Sequence, residues 1–248
     1  MSDFSVSTAD GALLKASREG AGAPLVLVSG LGGTAGFWAP VVAGLRDRFE
    51  ILTFDQRGIG ASTRGTAETD IAQLADDVQA VLDAAGIEAA TVVGHSTGGC
   101  IAQSLAARAP ERVTGLGLSA TWLRPSRYMT ALFRTRLDLL RHDPVAYTAT
   151  ATLISYAPEW LEANWSAYER AVAKAPTSDT ARQIVAGSPP DPSARGRPFL
   201  SGLADRRLRD GHRGLGRRPS MTQPPGFRAR HRFIACGMAK REDNGPAA

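Results

Sequence analysis

The chain has 248 residues, 43% hydrophobic and 21% charged, which is enough for one sizeable domain and too few for two large ones. The formal net charge of +5 is unevenly placed: residues 188–248 hold 13 Lys and Arg against 5 Asp and Glu, whereas residues 1–187 hold 16 against 19. Two cysteines exclude a disulfide scaffold or a four-thiolate metal site and fit a reducing, cytoplasmic setting, and with no basic leader and no run of ~18 apolar residues neither a signal peptide nor a membrane span is expected.

The first elements read as a hairpin, Phe4–Ser7 and Leu13–Ser17, around the turn Ala9-Asp10-Gly11. Two short apolar runs follow, Pro24–Ser29 ending in Gly30 and Phe49–Phe54 ending in Asp55-Gln56-Arg57-Gly58, and both read as buried strands. Between Asp70 and Gly86 the residues Ile71, Leu74, Ala75, Val78, Val81 and Leu82 recur at helical spacing, with Thr69 or Asp70 to cap the helix and Gly86 to stop it. Ala89–Val93 is the next strand, Thr97–Arg108 the next helix and Val113–Ser119 a further strand. Strands alternating with helices in this way predict an α/β class with a parallel-rich sheet covered on both faces. From Thr121 to about Ala186 strand signals vanish and a helical segment carries Trp122, Tyr128, Phe133, Tyr147, Tyr156, Trp160, Trp165 and Tyr168. Individually these aromatics read as helix core, and as a group they suggest a lid.

The strongest chemical signal is Gly94-His95-Ser96-Thr97-Gly98, a G-x-S-x-G run between a strand and a helix. A sharp strand-to-helix turn would expose the Ser96 hydroxyl at the top of the sheet as a nucleophile. The plainer alternative is a serine in a glycine-rich turn with no role. Oxyanion donors are available in the N–H of Thr97 and, from the loop Ser29-Gly30-Leu31-Gly32-Gly33, the N–H of Leu31. The same glycines do not make G-x-G-x-x-G, because position 35 is Ala35, which argues against a nucleotide site. Arg57 reads as a loop anchor, His95 as a packed side chain pointing away from Ser96, and Cys100 as a small buried residue.

Taken together, Ser29–Gly33, Asp55-Gln56-Arg57-Gly58-Ile59-Gly60-Ala61-Ser62 and Gly94–Gly99 resemble, in order, the motifs of the α/β-hydrolase fold. Within it, Ile71–Asp77, Thr121-Trp122-Leu123-Arg124 and Tyr156–Leu161 are similar to the 3-oxoadipate enol-lactonase group and the aminoacrylate hydrolase of pyrimidine degradation. The resemblance covers about residues 20–187. It implies a serine-nucleophile hydrolase acting on a small ester, lactone or aminoacrylate-like substrate, without metal or organic cofactor, with Gly30, Trp122 and Trp160 near the substrate.

It also implies a later His and Asp or Glu, and these are not found where strands would carry them. Residues 1–121 thus read as the core, 122–187 as the lid, and 188–248 as an Arg/Gly/Pro-rich tail that leaves the fold C-terminally incomplete and Val113–Ser119 as an exposed edge. The tail offers Asp205 and His212 as an improvised acid and base, with no strand to fix them. Its abrupt onset suggests a shifted reading frame in a GC-rich gene, in preference to a basic appendage for nucleic acid. The alternative function is a non-catalytic binding protein of the same fold. The expected partner is a small molecule, with no nucleic acid or membrane, and a homodimer is one option for the oligomeric state.

Overall fold

The computed structural model describes residues 1–124 and 126–175 together with the backbone of 233–235. Asp205 and His212, and the remainder of the basic tail, lie outside the described residues.

An N-terminal hairpin, β1 (Ser2–Ser7) and β2 (Leu13–Glu19), leads into β3 (Ala23–Val28), a short helix α1 (Ala39–Leu45), β4 (Phe49–Phe54), helix α2 (Ile71–Ala84), β5 (Ala90–His95), helix α3 (Thr97–Arg108) and β6 (Val113–Ser119). The hairpin pairs antiparallel and joins β4 antiparallel, while β4, β3, β5 and β6 run parallel. Helix α1, preceded by a 3-10 turn at Ala35–Trp38, carries no strong helical period in its sequence, Ala-Pro-Val-Val-Ala-Gly-Leu, and was not expected. Asp70 caps α2 as the sequence suggests, its side chain accepting from the Gln73 N–H at 2.8 Å.

The sheet order is β1-β2-β4-β3-β5-β6, followed by β7 (Phe233–Ala235), which pairs parallel with β6 through Leu116, Gly117 and Leu118. This corrects the expectation of an open edge at Val113–Ser119. The tail as a whole lacks strand composition, yet Phe-Ile-Ala is a local apolar and β-branched triplet, and the unsatisfied N–H and C=O groups of β6 provide its pairing partner.

From β3 the chain moves one way to β4 and then crosses back to place β5 on the other side of β3. The carboxyl ends of β3 and β5 therefore open a crevice at the point where the strand order reverses, the usual ligand position of an open α/β sheet. Side-chain alternation along β3 fills both faces. Val26 and Val28 join Leu52, Val92, Leu74, Val78, Ile101 and Leu105 under α2 and α3, while Leu25 and Leu27 pack with Ile51, Val42 and Trp38 under α1.

After β6 come α4 (Arg127–His142), α5 (Pro144–Ser155), α6 (Pro158–Ala163) and α7 (Trp165–Ala173). Ser126 caps α4 by accepting from Met129, and Asp143 caps α5 by accepting from Ala146 with Pro144 in the first turn. Phe133, Leu137 and Leu140 of α4 and Tyr147 of α5 are buried in the main core. No helix among the described residues is long and apolar enough to cross a membrane.

The hairpin is locked to this layer by a buried ion cluster. Arg57 is fully buried, donating from Nε to Asp77 Oδ2 at 2.7 Å on α2 and from Nη1 to Asp10 Oδ2 at 2.8 Å in the β1–β2 turn, and to the Arg64 carbonyl at 3.2 Å. Burial alone would raise the Asp10 carboxyl, but hydrogen bonds from Arg57 and Thr8 hold it well below the usual carboxylate range. Burial pushes the Asp77 carboxyl up, against the same guanidinium. A depressed native pKa means that Asp10 contributes fully above about pH 4 and that its contribution is lost as pH falls below it. Asp10→Asn should therefore flatten the loss of stability between about pH 4 and 3, read by urea unfolding across that range, whereas a curve unchanged from the parent's would remove Asp10 from the cluster's energetics. Arg57→Met, which strands a buried carboxylate, should cost about 3–5 kcal/mol in the same assay near neutral pH.

Candidate active site

At the reversal point the chain turns from β5 into α3 at Ser96, whose backbone sits at φ +55° and ψ −122°. A positive φ in a residue with a side chain is strained, and it persists because both flanks are fixed. The Ser96 N–H donates to the Ser119 carbonyl at 2.9 Å, and the Ser96 carbonyl accepts from the Gly99 N–H at 3.0 Å. Glycine is required on both sides of the turn. A Cβ on Gly94 would lie 2.2 Å from the Gly98 carbonyl oxygen, and one on Gly98 would lie 2.2 Å from that of Val28. The Ser96 side chain makes no capping bond to α3, so the hydroxyl is not used by the helix it begins. The positive end of α3 faces the same place.

Opposite Ser96 lies the loop after β3. A Cβ on Gly30 would come 3.2 Å from the Ser96 Cβ, so the backbone of the loop approaches the serine closely only because residue 30 lacks a side chain. The loop closes through Gly33 N–H to the Gly30 carbonyl at 3.0 Å and Ser29 Oγ to the Thr34 carbonyl at 3.0 Å, with Leu31 packed on the main core.

Two side chains after β4 hold this loop from behind, roles not foreseen from the sequence. Gln56 Nε2 donates to the Ser29 carbonyl at 2.8 Å, and the Asp55 carboxylate accepts from the Ala35 N–H and the Ala61 N–H, each at 2.9 Å. An Asp-Gln pair directly after a buried strand, with glycines at 58 and 60, is the signal that could have found them.

Thr97 is buried, and its Oγ1 has no hydrogen-bond partner among the described residues. Trp122, just past β6, has its ring 5.8 Å from Phe133 of α4, and its carbonyl accepts from Gln103 at 3.2 Å and Cys100 at 3.4 Å, which ties the start of the helical segment to α3. Burial pushes the Cys100 thiol up. Trp160 on α6 stacks on Tyr156 at 4.5 Å and remains 42% exposed. The structure thus puts Gly30 against Ser96, with Leu31 and Thr97 next to them in the chain, puts Trp122 beside α3, and places Trp160 in a separate aromatic pair of the helical layer. Among the described residues no group of three or more His, Cys, Asp or Glu is arranged to hold a metal ion.

Residues 23–156 match the family model described as alpha/beta hydrolase fold. A protein of Azorhizobium caulinodans named as a carbamate hydrolase, RutD, is 40% identical over 151 residues, which is 60% of this chain and 57% of that protein. The chain spans little more than half the length of the curated relatives it matches. Of solved structures, a hydrolase from Pseudomonas aeruginosa superposes with a TM-score of 0.66 at 28% identity, covering 84% of this chain and 75% of that one. The enol-lactonase from Burkholderia xenovorans gives 0.61 at 26%, covering 70% and 68%.

A second strained residue borders the crevice: Ala120, directly after the Ser119 that binds Ser96, has φ +46°. Ala120→Gly should raise the unfolding free energy by about 1 kcal/mol, because glycine adopts this conformation without the Cβ clash. By contrast, Gly98→Ala should cost about 3 kcal/mol, since the obstructing atom is backbone. Thermal or urea unfolding reads both, and a destabilised Ala120→Gly variant would show that the strain at that position is not stored energy.

Proposed function

Since this chain belongs to the α/β-hydrolase family, we propose that it is a serine-nucleophile hydrolase, with Ser96 attacking an acyl or acyl-like carbon of a small ester, lactone or aminoacrylate-like substrate. The observation that carries the reading is the backbone of Ser96, held at φ +55° at the head of α3 with its hydroxyl making no capping bond to that helix and the Gly30 loop against it. On an ester or lactone, Ser96 Oγ gives its proton to a base and forms a bond to the carbonyl carbon, and the oxygen of that carbonyl takes up negative charge between the N–H groups of Leu31 and Thr97 and the head of α3. Collapse breaks the bond to the alcohol or enol oxygen, which takes up that proton, and water, giving a proton to the base in turn, releases the acyl group and restores the Ser96 hydroxyl. Donors fixed before the reaction stabilise the charge where it develops, so they act on the transition state more than on the bound substrate.

The substrate class is supported by the relatives named as a carbamate hydrolase and an enol-lactonase, since carbamates and enol lactones both contain a carbonyl flanked by a heteroatom. Gly30 and Trp122 border the acyl side, and Trp160 belongs to the helical segment proposed as a lid over it. The reaction also needs a base and an acid to orient it, and the candidates Asp205 and His212 lie outside the described residues.

Covalent labelling by a fluorophosphonate tests the reading directly. The whole chain should label at Ser96, identified by peptide mass, and Ser96→Ala should abolish the label and lower any p-nitrophenyl acetate hydrolysis by at least about 10³-fold. A folded chain that never labels would sink the enzyme and leave a binding protein of the same fold.

A further inference from the structure

His95 is the last residue of β5 and, read from sequence, a packed side chain without a role. The structure gives it two contacts in two different segments and brings it close to a third. Its Nδ1 lies 3.2 Å from Ser119 Oγ at the end of β6. Its ring stacks on Phe37 with centroids 5.1 Å apart and planes 30° from parallel. Its Cδ2 lies 3.7 Å from the position a Cβ on Gly30 would take.

Phe37 belongs to the turn that ends the loop carrying Leu31, and it is anchored in turn: its N–H donates to the Thr34 carbonyl at 3.1 Å, and its ring meets Trp38 edge-on at 5.0 Å. Trp38 is buried in the second core cluster with Leu25, Leu27, Val42 and Ile51. Ser119 is anchored from the other side, since its carbonyl accepts the Ser96 N–H. One imidazole therefore connects both segments on which the two proposed oxyanion donors depend. Gln56 and Asp55 hold the loop from behind, whereas His95, beside Ser96 itself, stands on its other side.

We propose that His95 is a positioning residue that sets the separation of the Leu31 and Thr97 N–H groups, by clamping the 30–37 loop to the ends of β5 and β6 through Phe37 and Ser119. It rests on the hydrolase reading for its effect on rate, and on the contacts alone for its effect on the loop. His95 touches neither substrate nor reacting atoms in this role. Burial holds its pKa below the ordinary histidine value, so the ring is neutral near neutral pH, as a ring stacked on an aromatic face and sharing one hydrogen bond with a hydroxyl can be.

Donors acting on the transition state predict a divided kinetic effect. Saturable phosphonylation of Ser96 in the whole chain separates the maximal rate from the half-saturating concentration. His95→Ala should lower the maximal rate about tenfold to a hundredfold, the size of effect a misplaced group of this kind produces, with the half-saturating concentration within about twofold. His95→Asn, whose amide nitrogen can take the place of Nδ1 toward Ser119, should restore part of the rate, and Phe37→Leu should reproduce part of the loss. Hydrogen exchange read by mass spectrometry supplies an independent arm: exchange across residues 30–37 should quicken in His95→Ala while that of α2 and the β1–β2 hairpin does not.

An unchanged maximal rate, a change confined to the half-saturating concentration, or exchange at 30–37 equal to the parent's would each overturn the assignment. If the parent chain does not label at all, the hydrolase reading fails by itself, and the exchange arm alone decides whether His95 clamps the loop. Should His95→Ala not fold, His95→Asn and Phe37→Leu carry both arms: an exchange rate and phosphonylation rate equal to the parent's in Phe37→Leu would overturn the proposal.

Discussion

Helix α3 and strand β3 meet backbone to backbone. At Gly98 no atom larger than hydrogen fits between the helix and the carbonyls of Val28 and Ser29, and at Gly94 none fits between β5 and the first turn of α3. This contact fixes where the helix starts, and it leaves no room for a gentle connection from β5. The turn has to be made in one residue, so Ser96 takes up a conformation that an L-residue avoids. Its side chain makes no capping bond to the helix and stands against Gly30, beyond the end of β3. The location of the proposed nucleophile thus follows from a packing distance.

Strain of this kind persists only where the surroundings over-determine it, and each strained residue is worth about 1–3 kcal/mol. Ser96 and Ala120 are the two non-glycine residues at positive φ among those described, and they are joined through Ser119. Against them stand two packed cores, one on each face of the sheet, and a loop braced by hydrogen bonds from Gln56, Asp55 and Ser29. The rigidity near Ser96 is supplied by side chains that never approach a substrate. Transition-state stabilisation by fixed dipoles requires this arrangement, since donors that must reorganise lose most of their effect.

Sequence periodicity located β3 to β6 and helices α2 and α3 to within a residue or two, because their apolar faces are unambiguous. The elbow was legible for the same reason: Gly94 and Gly98 bracket Ser96 between a strand pattern and a helix pattern. Contacts that join distant segments left no local trace. Nothing in the spacing links His95 to Phe37, 58 positions earlier, or Arg57 to both Asp10 and Asp77. Helix α1 was missed because Ala39-Pro40-Val41-Val42-Ala43-Gly44-Leu45 buries only Val42, too little to write a period. Ala120 gave no sign at all, since alanine is the last residue that composition would place in a left-handed turn.

Arg57, Asp10 and Asp77 bear on how this sequence can change over generations. Arg57 is the one cation between two carboxylates, and Asp77 is as fully enclosed as the guanidinium, so the loss of Arg57 leaves an uncompensated charge in the interior, while the loss of either aspartate leaves the arginine a partner. Replacing the cluster by apolar side chains can be neutral in its final state, while removing Arg57 by itself costs several kcal/mol, comparable with the whole stability of a small domain. The cluster is therefore held in place by the cost of its central step and not by any superiority of the endpoint, and substitution at position 57 should come with a change at position 77.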